Sequence, residues 1–235
     1  MTLSEIAGAI GTNTTTATRL CHTLQEKGFI ERDKNRKFRL TLEVLTIGYS
    51  AICGLEWREI ADRYLQPFFE RIGENVNLAV LQDTDVLQLI RHNNQEHLTF
   101  SLRIGMKLPA YCTAQGKVLL AMGPPNITEP ILKKLQFRSL TPHTITSMEK
   151  FRQELEKIRR KGYAVSREEF SVGDCAVAAP VLNKRKFAVA GINVAVSTQN
   201  YSIEDAERIF APQVLEVAEQ ISKALAAVES EIVMK

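Results

Sequence analysis

No apolar run in the 235-residue sequence is long enough to form a membrane-spanning helix. The longest, Ala176–Leu182 and Ala188–Val196, are strand-sized, whereas a spanning helix needs roughly 20 residues. The opening Met1-Thr2-Leu3-Ser4-Glu5 is no signal peptide. Cysteine is sparse. Cys21, Cys53, Cys112 and Cys175 lie far apart, form no CxxC pair and have no histidine at metal-ligand spacing. Such scattered thiols suit a reducing cytoplasm, and no metal or cofactor is expected. Hydrolase and nucleotide signatures are missing as well: there is no GxSxG elbow, no HExxH pair and no glycine-rich phosphate loop. Glu168 and Glu169 are adjacent, so on a strand they point to opposite faces. They read as a solvated strand end, and no catalytic residue is expected. The formal net charge is only +3, so whole-chain charge does not announce nucleic-acid binding.

What is present is ordinary soluble-protein composition, 45% apolar and 24% charged, in a chain long enough for two modest domains. No internal repeat or low-complexity tract interrupts it. Two short helices are expected over residues 3–28. Ser4 caps the first, Gly11 closes it, and the second starts at Asn13 or Thr14. Ala17, Leu20 with Cys21, and Leu24 give the second helix its apolar face. Phe29–Arg32 and Lys37–Leu40 read as strands around a polar tip, Asp33–Arg36. Leu42–Trp57 reads as a linking helix and Glu59–Gly73 as an amphipathic one. A hairpin is expected from Val76–Leu81 and Val86–Ile90, and a further strand near Leu98–Leu102. Helices follow at Thr113–Met122 and Ser147–Lys161, the latter with a capping box of Thr146 and Glu149. Val177–Leu182 and Phe187–Val196 are continuous apolar strands, hence central in a sheet. Ser202 and Asp205 cap a long final helix that contains Pro212.

Two helices around a sharp glycine turn, then a basic hairpin, outline a winged helix-turn-helix. Its second helix would offer Thr14, Thr15, Thr16, Thr18 and Arg19 to base edges and phosphates. The hairpin carries Arg32, Lys34, Arg36, Lys37 and Arg39 against Glu31 and Asp33, which suits a phosphate backbone. The same features also fit a capping region and a solvated loop.

Leu3–Gly11, Thr16–Leu20, His22–Ile30 and Phe38-Arg39-Leu40 together resemble the DNA-binding domain of the IclR family of transcriptional regulators. Leu108–Ala121, Thr141–Thr146, Gly162–Val165, Glu168-Glu169-Phe170 and Val177–Val181 resemble that family's effector-binding domain. The Leu108–Thr113 segment and the Ala190–Val194 strand look most like the PcaR, PcaU and PobR branch, whose members respond to aromatic acids or their breakdown products. The resemblance implies an α+β protein. A winged helix-turn-helix (1–41, starting at the family's second helix) is joined by a linking helix (42–57) to a GAF-like α/β effector-binding domain (58–235). It also implies a homodimer or homotetramer, an operator on double-stranded DNA and no membrane partner. A loop that ends in Thr113 would let the amides of Ala114, Gln115 and Gly116 converge on a small carboxylic acid. Tyr111 could stack on or bond its ring, or be a core tyrosine that caps the loop. The family pattern places Ser166, Ala176, Asn193 and Ala195 in the same pocket, and some members carry Cys and Ser where this sequence has Ala176, Asn193 and Ala195. Arg36 and Lys37 would support the DNA contact from the wing. The alternative is a stand-alone small-molecule-binding module with impaired DNA binding.

Overall fold

The computed structural model describes residues 1–94 and 102–228. The chain divides into two compact units, Met1–Leu55 and Glu56–Lys235. In the first, helix α1 (Leu3–Ala9) is started by Thr2 rather than Ser4: the Thr2 hydroxyl accepts from the Glu5 amide while the Glu5 carboxylate accepts from the Thr2 amide. That reciprocal pair satisfies two amides that helix geometry leaves without partners. Gly11 turns the chain at φ +64°, and Asn13 caps α2 (Thr14–Glu26) by accepting from the Thr16 amide. Strands β1 (Ile30–Arg32) and β2 (Phe38–Leu40) pair antiparallel. The Asp33 carboxylate fixes their turn by accepting from the amides of Asn35 and Lys37.

This unit's core is small. Cys21, Ile30 and Phe38 are buried, with Leu3 and Ile6 packed against them. The buried stripe of α2 is Ala17 and Cys21, whereas Leu20 and Leu24, expected on that face, remain 48% and 42% exposed. The linking helix α3 (Val44–Cys53) is shorter than the expected Leu42–Trp57 and buries none of its residues. Trp57 belongs to the next helix and is buried there.

The second unit is built on a six-stranded antiparallel sheet of order β5-β4-β3-β8-β7-β6. Its strands are β3 (Asn75–Gln82), β4 (Asp85–His92), β5 (Lys107–Pro109), β6 (Ala164–Arg167), β7 (Asp174–Leu182) and β8 (Ala188–Ser197). The two continuous apolar runs are β7 and β8 and do occupy interior positions. Helices α4 (Glu56–Ile72) and α8 (Ile203–Ala227) pack on each other and on the sheet. Helix α5 (Ala114–Met122) lies against β3, β6, β7 and β8, with α7 (Met148–Lys161) packed on it, and α6 (Pro125–Lys134) completes the unit. Ala176 and Ala178, alternate residues of β7, belong to the core under α5, so α8 takes the other face. Ser147, not Thr146, caps α7, and Gly162 ends that helix at φ +80°. Ser202 caps α8 as its sequence suggests. The strand expected near Leu98–Leu102 lies outside the described residues except for Leu102, which is irregular.

The contrast in core size sets an order of local stability, because segments with few buried apolar contacts open at low free energy. Amide exchange over residues 3–40 should be fast relative to that of Val177–Val196. Hydrogen–deuterium exchange by mass spectrometry checks this, and equal protection of the two ranges would contradict it.

Candidate functional site

A cavity of about 80 Å³ opens between the face of the sheet under α5 and the start of that helix. It has room for one compact molecule rather than a nucleotide. Strand register explains its floor. Ser166, Ala176 and Ala195 are consecutive partners across β6, β7 and β8, and Ala178, Asn193 and Asn77 form the next row. Small side chains there leave room above the sheet. Gly191 extends this logic: a Cβ on it would stand 3.3 Å from the Gln115 carbonyl oxygen, so glycine lets α5 approach. At the other contact, a Cβ on Gly116 would fall 2.2 Å from the Ala110 carbonyl oxygen, an overlap that only glycine avoids.

The first turn of α5 faces this space. Thr113 caps the helix; its hydroxyl accepts from the Gly116 amide at 3.2 Å and donates to the Pro109 carbonyl at 3.3 Å. The Lys117 amide donates to the Thr113 carbonyl. Helix geometry leaves the amides of Ala114 and Gln115 over, and these two residues line the cavity. Side-chain amides organise the wall. Gln115 Nε2 donates to the Gly191 carbonyl at 3.1 Å, Gln88 Nε2 to Gln115 Oε1 at 2.9 Å, and Asn77 Nδ2 to Asn193 Oδ1 at 2.9 Å. Ser166 donates to the Cys112 carbonyl at 3.1 Å. Phe170, Leu102 and Leu108 add apolar walls, and no lysine, arginine or histidine lines the cavity among the described residues.

The structure therefore brings together Thr113, Ala114, Gln115, Ser166, Ala176, Asn193 and Ala195. Two expected members stand apart. Tyr111 is turned away, its hydroxyl donating to the Arg138 carbonyl at 2.9 Å and accepting from the Arg138 amide at 3.1 Å. The Gly116 amide is spent on the helix cap, so the cradle has two open amides rather than three. Sequence reasoning missed Asn77 and Gln88, although polar residues inside apolar strands were a signal. Cys112 and Cys175 also line the cavity, but burial pushes both thiols up to about 12, so they stay protonated and are poor nucleophiles at neutral pH.

Behind the cavity, Lys117 donates to the Glu169 carboxylate and, at 3.2 Å, to the Val165 carbonyl, with both side chains buried. Glu169 is thus no solvated strand end. Burial pushes its carboxyl above the ordinary carboxylate range against the pull of the Lys117 ammonium. The hydroxyls of Thr141 and Thr144 donate to the Glu168 and Glu169 carbonyls, each at 2.7 Å, and so strap this segment, whose neighbour Phe170 lines the cavity.

A larger open groove of about 760 Å³ runs along α8 beside Lys184, Lys186 and Lys223. None of the buried polar atoms that lack a partner lies in it.

In the first unit, Thr14, Thr15, Thr16, Thr18 and Arg19 are all exposed along the start of α2. The Thr18 hydroxyl donates to the Thr14 carbonyl at 2.7 Å. In the wing, Arg39 pairs with Glu31 at 2.8 Å and Arg32 lies over the Phe38 ring. Lys34, Arg36 and Lys37 are exposed and form no salt bridge among the described residues, leaving a cationic tip.

Residues 1–34 match the IclR helix-turn-helix domain, and residues 49–223 match the bacterial transcriptional regulator IclR C-terminal domain. This chain belongs to the IclR family of transcriptional regulators. It is 28% identical to the HTH-type transcriptional regulator XynR of Escherichia coli, over 95% of this chain and 88% of that one. It is also 28% identical to the p-hydroxybenzoate hydroxylase transcriptional activator of Acinetobacter baylyi, over 82% and 73%. The crystal structure of the Thermotoga maritima IclR superposes with a TM-score of 0.73 at 30% identity, covering 96% of this chain and 91% of that one. These are regulators rather than enzymes, and the fold of this IclR protein is theirs: a winged helix-turn-helix and an effector-binding α/β domain. No helix among the described residues is long and apolar enough to cross a membrane.

The buried ion pair yields a stability prediction. Lys117→Met should cost about 3–5 kcal/mol, because it removes the ammonium that stabilises the buried Glu169 carboxylate. Adding Glu169→Leu should recover most of that loss, as replacing both partners removes the buried carboxylate as well. Urea denaturation of both variants checks the pattern, and a double variant no more stable than Lys117→Met would contradict it.

Proposed function

We propose that this IclR protein binds an operator in double-stranded DNA and that a small carboxylic acid, aromatic or derived from ring cleavage, controls that binding. The reading is of a homodimer or homotetramer acting in the cytoplasm. The observation that carries the effector reading is the pair of open amides at the start of α5, over an alanine-floored cavity that has no cationic side chain among the described residues. A helix N-terminus supplies about half a positive charge and free N–H donors, which suits a carboxylate. The apolar contribution of Phe170, Leu102 and Leu108 suits a ring or short carbon skeleton. Similarity to the Acinetobacter activator of p-hydroxybenzoate hydroxylase supports an acid of aromatic catabolism. The exposed apolar residues Leu42, Leu45 and Ile47 along and beside α3 support association between copies.

DNA contact falls to Thr14, Thr15, Thr16, Thr18 and Arg19 on α2, with Arg36 and Lys37 at the wing tip. Gel shift on a fragment from the gene's own upstream region, across a salt series, tests this. Lys37→Ala should weaken specific and random DNA alike and lower the salt slope by about one unit, the signature of one lost phosphate contact. Arg19→Ala should weaken operator binding. Wild-type affinity and slope in both variants would refute the assignment.

The effector reading predicts that acids raise the melting temperature with concentration, since a ligand of the native state stabilises by mass action. A thermal-shift panel of benzoate, hydroxybenzoates, protocatechuate, β-ketoadipate, pyruvate and glyoxylate decides it. Ring-derived acids should lead. Stabilisation by neutral compounds alone would remove the carboxylate from the reading, and leadership by pyruvate or glyoxylate would remove the ring.

A further inference from the structure

The cavity wall contains two acceptors without donors. Gln88 and Asn77 are 0% and 1% exposed, both line the cavity, and Gln88 Oε1 and Asn77 Oδ1 have no hydrogen-bond partner among the described residues. The orientation of Gln88 follows from a fixed point in the backbone. The Gly191 carbonyl can only accept, so Gln115 must turn its Nε2 toward it, at 3.1 Å. Gln115 then presents Oε1 to Gln88, which must answer with its own Nε2, at 2.9 Å. The Gln88 carbonyl oxygen is what remains. Asn77 donates from its Nδ2 to Asn193 Oδ1, which leaves its own carbonyl oxygen over. A buried carbonyl without a donor is costly, and few native side chains are left so.

We infer that Gln88 and Asn77 form a subsite that reads hydrogen-bond donors, so that the effector carries a hydroxyl group in addition to its carboxylate. The inference rests on the reading of this cavity as the effector site. The carboxylate lies at the Ala114 and Gln115 amides, and the hydroxyl donates to Gln88 Oε1 or Asn77 Oδ1. A keto, methoxy or halogen substituent cannot replace it, because none of these donates a proton. Gln115 joins the two ends: its backbone amide faces the acid and its side chain holds Gln88 in orientation.

Matched compounds test the idea by calorimetry on the wild-type full chain. The acids are 4-hydroxybenzoate, 3,4-dihydroxybenzoate and lactate against 4-methoxybenzoate, benzoate and propionate. The neutral set is phenol and catechol against anisole. Donor-bearing compounds should bind at least about tenfold more tightly than their counterparts, as sites built to bond a hydroxyl reject analogues lacking it. Gln88→Met or Asn77→Ala should narrow that ratio to about threefold or less. Equal binding within the wild-type pairs overturns the inference without recourse to any variant. So does a ratio unchanged in both variants, and so does failure of every donor-bearing compound, acid or neutral, to bind. Binding of phenol and catechol ahead of anisole, with no acid bound, would uphold the donor subsite and remove the carboxylate from the effector. Binding of every acid regardless of hydroxyl would do the reverse.

Discussion

Helix α5 has to lie flat and nearly dry against the sheet, and the rest of the second unit is arranged around that requirement. Eight of its nine residues are buried, including a lysine. A dry lysine is tolerable only with a paired charge and hydrogen-bond acceptors, which Glu169 and the Val165 carbonyl supply. Close approach is tolerable only without side chains at two backbone contacts, which accounts for Gly116 against Ala110 and Gly191 against Gln115. Once the helix is held there, its first turn overhangs a floor of alanines, and the cavity is the space they leave. Ion pair, glycines and cavity are thus parts of one packing solution.

Placing a ligand at the overhang has a mechanical corollary. One wall is helix α5, held by Lys117. The opposite wall is the segment around Phe170, which Lys117 also reaches through Glu169. The two threonines of the Thr141–Thr144 turn hold the same segment from outside through its backbone carbonyls. Glu168 adds a third tie, its carboxylate accepting from the Gly173 amide at 2.8 Å and the Thr198 hydroxyl at 3.2 Å. Its own backbone sits at φ +55°, a conformation that is uncommon for a side chain of that size and is kept by these surrounding bonds.

Much of this was legible in the sequence where one local rule dominates. Asn13, Thr113 and Ser202 cap helices as their side chains suggest, and the apolar runs of β7 and β8 are interior strands. Local rules failed where two neighbours offer the same chemistry. Thr2 rather than Ser4, and Ser147 rather than Thr146, start their helices, and only backbone geometry distinguishes them. Glu169 was unreadable for a different reason. Its partner Lys117 is 52 residues away, and no pattern along the chain announces a pairing set by tertiary packing. Tyr111, open in the sequence between a ring contact and a loop cap, has its hydroxyl on Arg138. Asn77 and Gln88 were within reach: a polar residue on the buried face of an apolar strand needs a partner.

The sheet ends in two short strands, β5 with three residues and β6 with four. At the β6 end, Arg167 is drawn onto Glu204 and Glu207 of α8. A short border guarded by charge offers a foreign strand little backbone to zip onto.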